Sequence, residues 1–220
     1  MRGTQKSILT LLTSFIYIFC THSFAQTETT PGVNAQLIVA ARQGDAAGIQ
    51  KSLKLGAAPN SRNRMGKTPL FLAVEKNRVD IVQLMLDSGA DVNMATVEMV
   101  TPLIAAAYAG NVQIVDLLLN QKPKLEQTDR LHKSALVYAA GMGNTEVVKH
   151  LLAAGAKMDA AYIDGLTPLM WAAGQGHAQT VRLLISNGAN ADLKDERGLT
   201  ALDMARQNKH QAVVDILSAR

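Results

Sequence analysis

The sequence repeats one short motif at a constant interval. The motif reads Thr-Pro-Leu at positions 68, 101 and 167 and in altered form at 134 and 200, so that each of the five copies starts equally far from the one before. One period before the copy at position 68, the sequence is Ala35-Gln36-Leu37, which keeps only the leucine of the motif. A period of about 33 residues is typical of a solenoid, in which each unit buries its apolar face against its neighbours. The period therefore constrains the fold before any local motif is considered.

Each unit carries the same further features in the same order. A pair of alanines follows the motif in most units, then a turn glycine, an apolar stretch such as Ile81 to Leu86, and a closing Gly-Ala dipeptide. Threonine is a favoured helix N-cap, and proline at the first helical position has no N–H to leave unpaired. Glycine after the second helix supplies a left-handed C-cap. Each unit is therefore predicted to form a helix, a tight turn, a second helix and a projecting polar turn.

From residue 34 to the C-terminus these features resemble those of the ankyrin repeat family. The resemblance implies an all-α ankyrin-repeat solenoid of about six 33-residue helix-turn-helix units with projecting β-turn fingers. We expect one ankyrin repeat domain over 34–220, complete at both ends. It comprises an N-terminal capping repeat over 34–66, internal repeats over 67–199 and a C-terminal capping repeat over 200–220. Asn34 occupies the position of the N-cap threonine in the first unit.

The N-terminal stretch over 1–25 differs in composition from the repeats. Arg2 and Lys6 precede an apolar stretch from Ile8 to Cys20, and small residues stand at the cleavage positions that end at Ala25. This pattern predicts a secretory signal peptide over 1–25, cleaved between Ala25 and Gln26, followed by a polar linker over 26–33. The alternative is an uncleaved membrane anchor, but a span needs roughly 20 apolar residues.

Cleavage would also change the chemistry of the exported protein. Cys20 is the only cysteine, and its loss leaves no thiol, while the loss of Arg2 and Lys6 lowers the formal charge from +4 to +2. A lipid attached to Cys20 is disfavoured because bulky Phe19 precedes it where a small residue is expected. A protein without thiols suits an oxidising compartment, so we expect a periplasmic or secreted location. Charges are scattered, so we expect no nucleic-acid partner and no stable membrane insertion after cleavage.

Residue types that carry catalysis or bind metals form no recognisable cluster in the sequence. Gly66-Lys67-Thr68 resembles the end of a phosphate-binding loop, but Ser61 stands where that motif requires a glycine. His177 and His210 share one slot of the repeat, where a packing and hydrogen-bonding role is expected, and no histidines lie at metal-ligand spacing. We therefore expect no enzymatic activity, no metal and no cofactor.

The junction between the third and fourth repeats departs most from the pattern. Lys122-Pro123 replaces the closing Gly-Ala, and Ser134-Ala135 replaces Thr-Pro. Lysine adopts a left-handed cap less readily than glycine, and a residue before proline avoids the helical region. One interpretation is drift in a tolerant loop. The other is a softer junction, which predicts that the 115–135 region opens first in hydrogen exchange.

The resemblance also implies where a partner binds. Ankyrin repeat proteins use the fingers and the first helix of each pair as a recognition surface, here called the concave face. In this sequence the middle of that face is apolar and carries Tyr108, Tyr138 and Trp171, and the last two, one period apart, should lie side by side. Alternatively, Tyr138 and Trp171 fill space between helices and fingers. The predicted protein-binding residues are Met65, Val97, Val100, Tyr108, Leu131, Tyr138, Met142, Ile163, Leu166 and Trp171.

These observations favour a non-catalytic protein–protein interaction module in the cell envelope. Such a module would bind one partner protein through its concave face as a monomer, in an inhibitor, immunity-type or scaffold role. Two alternatives remain open. One is a binding protein for a small molecule or glycan, which needs a deep pocket with convergent polar groups. The other is a structural protein that associates with its own copies through the apolar patch.

Overall fold

The fold consists of helix pairs that follow one another along the chain. The structure is a computed structural model that describes residues 32–219. The predicted signal peptide over 1–25 and most of the predicted linker over 26–33 lie outside the described residues. Within 32–219 there are twelve α-helices and no β-strand. They are α1 (Val33–Gln43), α2 (Ala46–Lys54), α3 (Pro69–Glu75), α4 (Val79–Asp87), α5 (Pro102–Ala109), α6 (Val112–Leu119), α7 (Ala135–Gly141), α8 (Thr145–Ala153), α9 (Pro168–Gly174), α10 (Ala178–Ser186), α11 (Ala201–Gln207) and α12 (Gln211–Ser218).

The repeated motif starts the first helix of each pair from α3 onward. In four of these helices a threonine Oγ1 accepts a hydrogen bond from the backbone N–H three residues later, which satisfies one of the free N-terminal donors. The four threonines are Thr68, Thr101, Thr167 and Thr200. Ser134 makes no such bond, although α7 still begins directly after it. The predicted capping role of the threonines is therefore confirmed.

The core contains the motif leucines of the internal repeats and the alanine pairs, together with apolar residues of the second helices. Leu70, Leu103, Leu136 and Leu169 are each at most 2% exposed. The alanine pairs of α1, α5, α7 and α9 are buried beside them, and their small side chains let successive first helices pack closely. The buried apolar residues form one continuous cluster from Leu37 to Leu217. Each repeat therefore depends on its neighbours for most of its apolar burial.

A ladder of side chains joins each finger to the following repeat. Once per period, a side-chain oxygen accepts a hydrogen bond from the backbone N–H that lies 31 residues later. The acceptor and donor residues are Asn60 and Asp91, Asn93 and Lys124, Glu126 and Lys157, and Asp159 and Asn190. These bonds fix the spacing of successive repeats on the finger side.

A second ladder lies at the turn between the two helices of each pair. One side chain per repeat, always in the same slot, bonds to the preceding repeat. The five residues are Arg78, Asn111, Asn144, His177 and His210. The ring Nε2 of His177 lies 2.9 Å from the Gly141 carbonyl oxygen, and that of His210 lies 3.0 Å from the Gly174 carbonyl oxygen. The hydrogen-bonding role predicted for these two histidines is confirmed.

The junction between the third and fourth repeats keeps its hydrogen bonds despite its unusual sequence. Lys122 adopts φ 50°, in the region that Gly89 occupies with φ 81° one period earlier. The backbone N–H of Lys122 still donates to the Leu119 carbonyl, and that of Lys124 donates to Asn93. The strain at Lys122 agrees with a softer junction. Early opening of the 115–135 region stays a prediction.

The first helix begins one residue earlier than the sequence indicates. Asn34 was expected to cap this helix, but α1 starts at Val33 and Asn34 lies in its first turn. The Asn34 side chain instead accepts a hydrogen bond of 2.7 Å from the backbone N–H of Ala58. The expected cap is therefore wrong, because the side chain bonds across to the first finger rather than to its own helix.

Candidate protein-binding face

Three aromatic side chains and one lysine form a cluster on the concave face. The rings of Tyr108 and Tyr138 meet edge to face, with centroids 5.7 Å apart and planes at 82°. The Nζ of Lys133 lies 4.0 Å from the Trp171 ring centroid and 5.5 Å from the Tyr138 ring centroid. The prediction that Tyr138 and Trp171 lie side by side is confirmed, since both rings contact the same ammonium group. This set is called the aromatic cluster below.

The position of Trp171 depends on the absence of a side chain in the preceding repeat. Gly141 occupies the slot that Tyr108 fills one period earlier. A Cβ atom added to Gly141 would lie 2.5 Å from Cε3 of Trp171. The Gly141 carbonyl oxygen is itself held 2.9 Å from Nε2 of His177. A large side chain at 141 and the observed Trp171 position therefore exclude each other.

Asp129 anchors the fourth finger beneath the aromatic cluster. Its Oδ1 accepts hydrogen bonds of 2.9 Å from the backbone N–H groups of both Leu131 and Lys133, and its Oδ2 accepts one of 2.5 Å from the Tyr138 hydroxyl. Asp129 is only 5% exposed. Burial raises the pKa of Tyr138, and the hydrogen bond to Asp129 raises it further. One buried carboxylate thus fixes the backbone around Lys133 and the orientation of Tyr138.

A cleft of about 590 Å³ opens beside the cluster, between the second, third and fourth repeats. It is lined by Lys67, Phe71, Val74, Glu75, Asn77, Thr96, Glu98, Val100, Ile104, Ala105, Tyr108, Ala109 and Tyr138. Its charged groups are engaged locally: Lys67 Nζ lies 2.6 Å from Glu75 Oε1 and 5.6 Å from the Phe71 ring centroid. Because Tyr108 and Tyr138 belong both to the lining and to the aromatic cluster, cleft and cluster form one continuous surface.

The ten predicted binding residues fall into two groups in the structure. Six are exposed, namely Met65, Val97, Tyr108, Leu131, Met142 and Ile163. Tyr138 and Trp171 are partly buried, so part of each ring fills space between helix and finger, as the alternative hypothesis held. Val100 and Leu166 share one slot just before the capping threonine, and both pack partly against the core.

Sequence reasoning left several residues of this surface out of the predicted set. Phe71 and Ile104 line the cleft, yet they occupy the same slot as Val137 and Met170, which have no place in the cleft lining. From the sequence, an apolar residue in that slot is therefore predicted to be a core residue. From the sequence alone, Lys133 is predicted to be a solvent-exposed lysine of the fourth finger. Lys133 occupies the same slot as Val100 and Leu166, just before the first helix of its repeat. That shared position could have indicated that Lys133 lies close to the side chains of the first helix.

The fifth finger differs from the others in its anchor. Tyr162 occupies the slot that Asp129 fills in the fourth finger, and its buried hydroxyl has no hydrogen-bond partner in the described part of the chain. Burial raises the pKa of this hydroxyl. Backbone bonds join adjacent fingers at Val97 to Met65, Arg130 to Glu98 and Glu196 to Asp164. Among residues 32–219, no equivalent bond joins Ile163 to Leu131.

Replacement of Tyr162 by phenylalanine is expected to raise the free energy of unfolding by about 1 kcal/mol, since it removes a buried hydroxyl that makes no hydrogen bond. The matched control is Tyr138→Phe, which removes a hydroxyl that donates to Asp129 and should lower stability by about 1–2 kcal/mol. Urea denaturation of both variants measures the difference. Equal changes in the two variants would contradict the assignment of Tyr162 as the unsatisfied hydroxyl.

The sixth finger returns to a carboxylate anchor. Asp195 is 5% exposed and accepts hydrogen bonds from the backbone N–H groups of Arg197 and Leu199 at 2.9 and 2.8 Å. Burial acts to raise the pKa of this carboxyl, but those bonds and the adjacent Arg197 guanidinium outweigh it and hold the pKa below its usual range. The slot that Tyr162 fills in the fifth finger thus holds an aspartate in both the fourth and the sixth finger.

Groups suited to metal binding are not brought together in the described residues. Within 32–219 no three His, Cys, Asp or Glu side chains are placed to hold a metal ion. His150 and Asp116 do contact each other through Nδ1 and Oδ1, on the outer helices α8 and α6. That pair joins neighbouring repeats on the side away from the fingers. In the same part of the chain, no helix has the length and apolar character that crossing a membrane requires.

The repeat geometry and the comparisons with known proteins identify the class of protein. The family model for ankyrin repeats in three copies matches residues 14–96, 37–129, 96–162 and 136–220. The chain belongs to the ankyrin repeat family. Ankyrin repeats are generally protein–protein interaction modules, and the family is typically non-catalytic.

Two solved structures show the same fold over most of this chain. The ankyrin repeat protein EF0377 has 31% sequence identity and a TM-score of 0.79, and the alignment covers 84% of this chain and 97% of EF0377. An ankyrin repeat domain from Acinetobacter baumannii AYE has 30% identity and a TM-score of 0.78, with 83% of this chain and 96% of that domain covered. No curated protein matches the sequence.

Proposed function

We propose that this chain is a non-catalytic interaction module of the cell envelope that binds another protein through repeats three to five of its concave face. One observation carries the proposal. The aromatic cluster and the exposed apolar finger residues Val97, Leu131 and Ile163 lie on these adjacent repeats, beside a cleft that extends onto the second repeat. The family supports a protein as the partner.

The physical argument rests on the cost of leaving these groups in water. Tyr108 is 54% exposed and Met142 is 46% exposed, although both lie at the C-terminal end of a first helix where a polar side chain would fit. Neighbouring exposed apolar side chains of this kind mark interaction sites. Tyrosine and tryptophan are also the residue types enriched among interface hot spots. Tyr108 and Trp171 are therefore assigned as the main anchors.

The envelope location rests on the predicted signal peptide over residues 1–25 and on the single cysteine within it. An exported binding module can inhibit, protect or scaffold its partner, and an immunity-type role against a toxin is one form of this. Which role applies depends on what the partner does, since the fold does not fix function.

The cleft also favours a second candidate, a binding protein for a small molecule or glycan. Its volume of about 590 Å³ falls within the range of roughly 300–1,000 Å³ that is usual for ligand sites. The charged groups argue for the protein partner, however. Lys67 and Glu75 pair with each other at 2.6 Å instead of converging on a common point in the cleft.

Affinity capture from an envelope extract tests the proposal. The protein, purified after expression of the full chain, serves as bait beside a Tyr108→Ala/Trp171→Ala variant. We expect a protein to be retained by the unmodified bait, with affinity at least about tenfold lower for the double variant, because truncating hot-spot residues costs this much or more. The matched control is Leu55→Ala, which removes a side chain that is 57% exposed outside the candidate face.

Each other result has a definite meaning. A captured protein that binds the double variant equally well would move the site away from the aromatic cluster. Capture of the chain's own copies would indicate self-association, which sedimentation of the purified protein would measure directly. No capture by any bait would contradict the interaction-module proposal and favour the small-ligand alternative.

A further inference from the structure

Lys133 has no acidic partner, unlike Lys67 and Arg130 on the same face. Its Nζ lies against the rings of Trp171 and Tyr138, and no carboxylate in residues 32–219 lies within 4.0 Å of it. Lys67, in the same slot two repeats earlier, pairs with Glu75 at 2.6 Å. The charge of Lys133 is therefore available to a partner.

The lysine is also held in place. The backbone N–H of Lys133 donates to the buried Asp129 at 2.9 Å, and Asp129 simultaneously accepts from the Tyr138 hydroxyl. The two aromatic rings confine the ammonium through cation–π contacts. A group fixed before binding loses less conformational freedom when the partner arrives. Lys133 therefore forms a pre-organised cation at the edge of the aromatic cluster.

Any partner that covers the aromatic cluster must also remove water from this ammonium. Burial of a charge without a counter-charge or hydrogen-bond acceptor is strongly unfavourable. A carboxylate on the partner would compensate for the lost water, whereas a cation would add repulsion. The Lys133 ammonium contacts the Tyr138 ring, and Tyr138 also lines the cleft. The ammonium and the apolar cleft are therefore next to each other.

We infer that the partner contributes a linear acidic segment. Within it, an Asp or Glu carboxylate pairs with Lys133, and an aromatic or leucine side chain a few residues away enters the cleft between Phe71 and Tyr108. This inference rests on the proposed function and specifies the chemistry of the partner at the same site. It separates the site into a charge contact and an apolar contact that can be tested independently.

The other charges on this surface favour a single carboxylate over a polyanion as the occupant. Glu75 and Glu98 both line the cleft, and Glu98 pairs with Arg130 at 3.4 Å. Aromatic rings beside a cation are found in sites for single-stranded nucleic acid, but those sites also provide a positive groove along the phosphate backbone. A segment with one carboxylate next to an apolar anchor avoids the two glutamates and still reaches Lys133.

Selection from a library of random linear peptides tests this inference. The unmodified protein, Lys133→Glu, Lys133→Gln and Lys149→Glu are the targets. Lys149 lies on the outer helix α8 of the same repeat and is 64% exposed, so its substitution makes the same change in charge away from the face. Circular dichroism confirms that each variant is folded. Emission of Trp171, the only tryptophan in the sequence, measures the affinity of individual peptides at this site.

We expect the peptides enriched on the unmodified protein to carry Asp or Glu within a few residues of an aromatic residue or leucine. Their affinity should fall at least about tenfold on Lys133→Glu, less on Lys133→Gln, and not on Lys149→Glu, and it should weaken with added salt. Peptides without acidic residues, or binding that Lys133→Glu does not change, would overturn the inference and leave the proposed function standing. If no peptide is enriched and envelope capture also fails, both are overturned.

Discussion

Replacement of Leu136 by alanine is expected to lower the free energy of unfolding by about 2–5 kcal/mol. Leu136 is the motif leucine of the fourth repeat, is 2% exposed, and lies on α7, which packs against α5 on one side and α9 on the other. The cavity therefore weakens two interfaces between repeats at once. Since stability in a solenoid is approximately a sum of neighbour interfaces, the effect should exceed that of a similar change in an end repeat.

The same substitution should divide the unfolding transition into two. Trp171 reports on the repeats that follow Leu136, whereas circular dichroism at helical wavelengths reports on all twelve helices of the described chain. Urea transitions from the two probes should coincide in the unmodified protein and separate in Leu136→Ala, because the central coupling is lost. Leu131→Ala is the matched control, since Leu131 is 51% exposed and its loss should change stability by about 0.5 kcal/mol or less. If the two transitions still coincide in Leu136→Ala, the prediction that the central interface couples the two halves of the array is wrong.

The sequence was sufficient to predict the fold because every repeat carries the same information. Thr167, Pro168 and Leu169 specify a cap, a helix start and a core position, and the same specification recurs at a constant interval. Local propensity and tertiary packing then agree at each unit, which is the condition for reliable inference from one sequence. The prediction failed at Asn34, where the period suggests a cap and the side chain bonds to Ala58 instead.

The candidate site was predictable only in part, because its features depend on differences between repeats. The register placed Tyr138 beside Trp171, but whether an apolar residue in a repeated slot faces a cleft or the core depends on the size of its neighbours. Phe71 and Val137 share one slot and are both buried, at 4% and 0% exposed, yet of the two only Phe71 borders the cleft. The role of Lys133 likewise follows from a three-dimensional arrangement of two rings that sequence spacing does not specify.

Replacement of Asp129 by alanine is expected to lower the free energy of unfolding by roughly 2–4 kcal/mol, since each buried donor left without an acceptor costs about 1–3 kcal/mol and water can reach some of them. Three donors lose their acceptor: the backbone N–H groups of Leu131 and Lys133 and the hydroxyl of Tyr138. The finger would then no longer hold Lys133 against Trp171. We expect Trp171 emission to shift to longer wavelength even under conditions in which the variant remains folded.

Asp129→Asn is the matched control, because the protein already uses asparagine in this slot. Asn63, two periods earlier, accepts hydrogen bonds of 2.9 and 3.0 Å from the backbone N–H groups of Met65 and Lys67. An asparagine at 129 should therefore keep the finger folded at a cost of about 1 kcal/mol or less, with its amide able to donate to the Tyr138 hydroxyl. Urea denaturation and Trp171 emission distinguish the two variants. Equal destabilisation by asparagine and alanine would show that the finger requires the negative charge of Asp129 rather than an acceptor for its N–H groups.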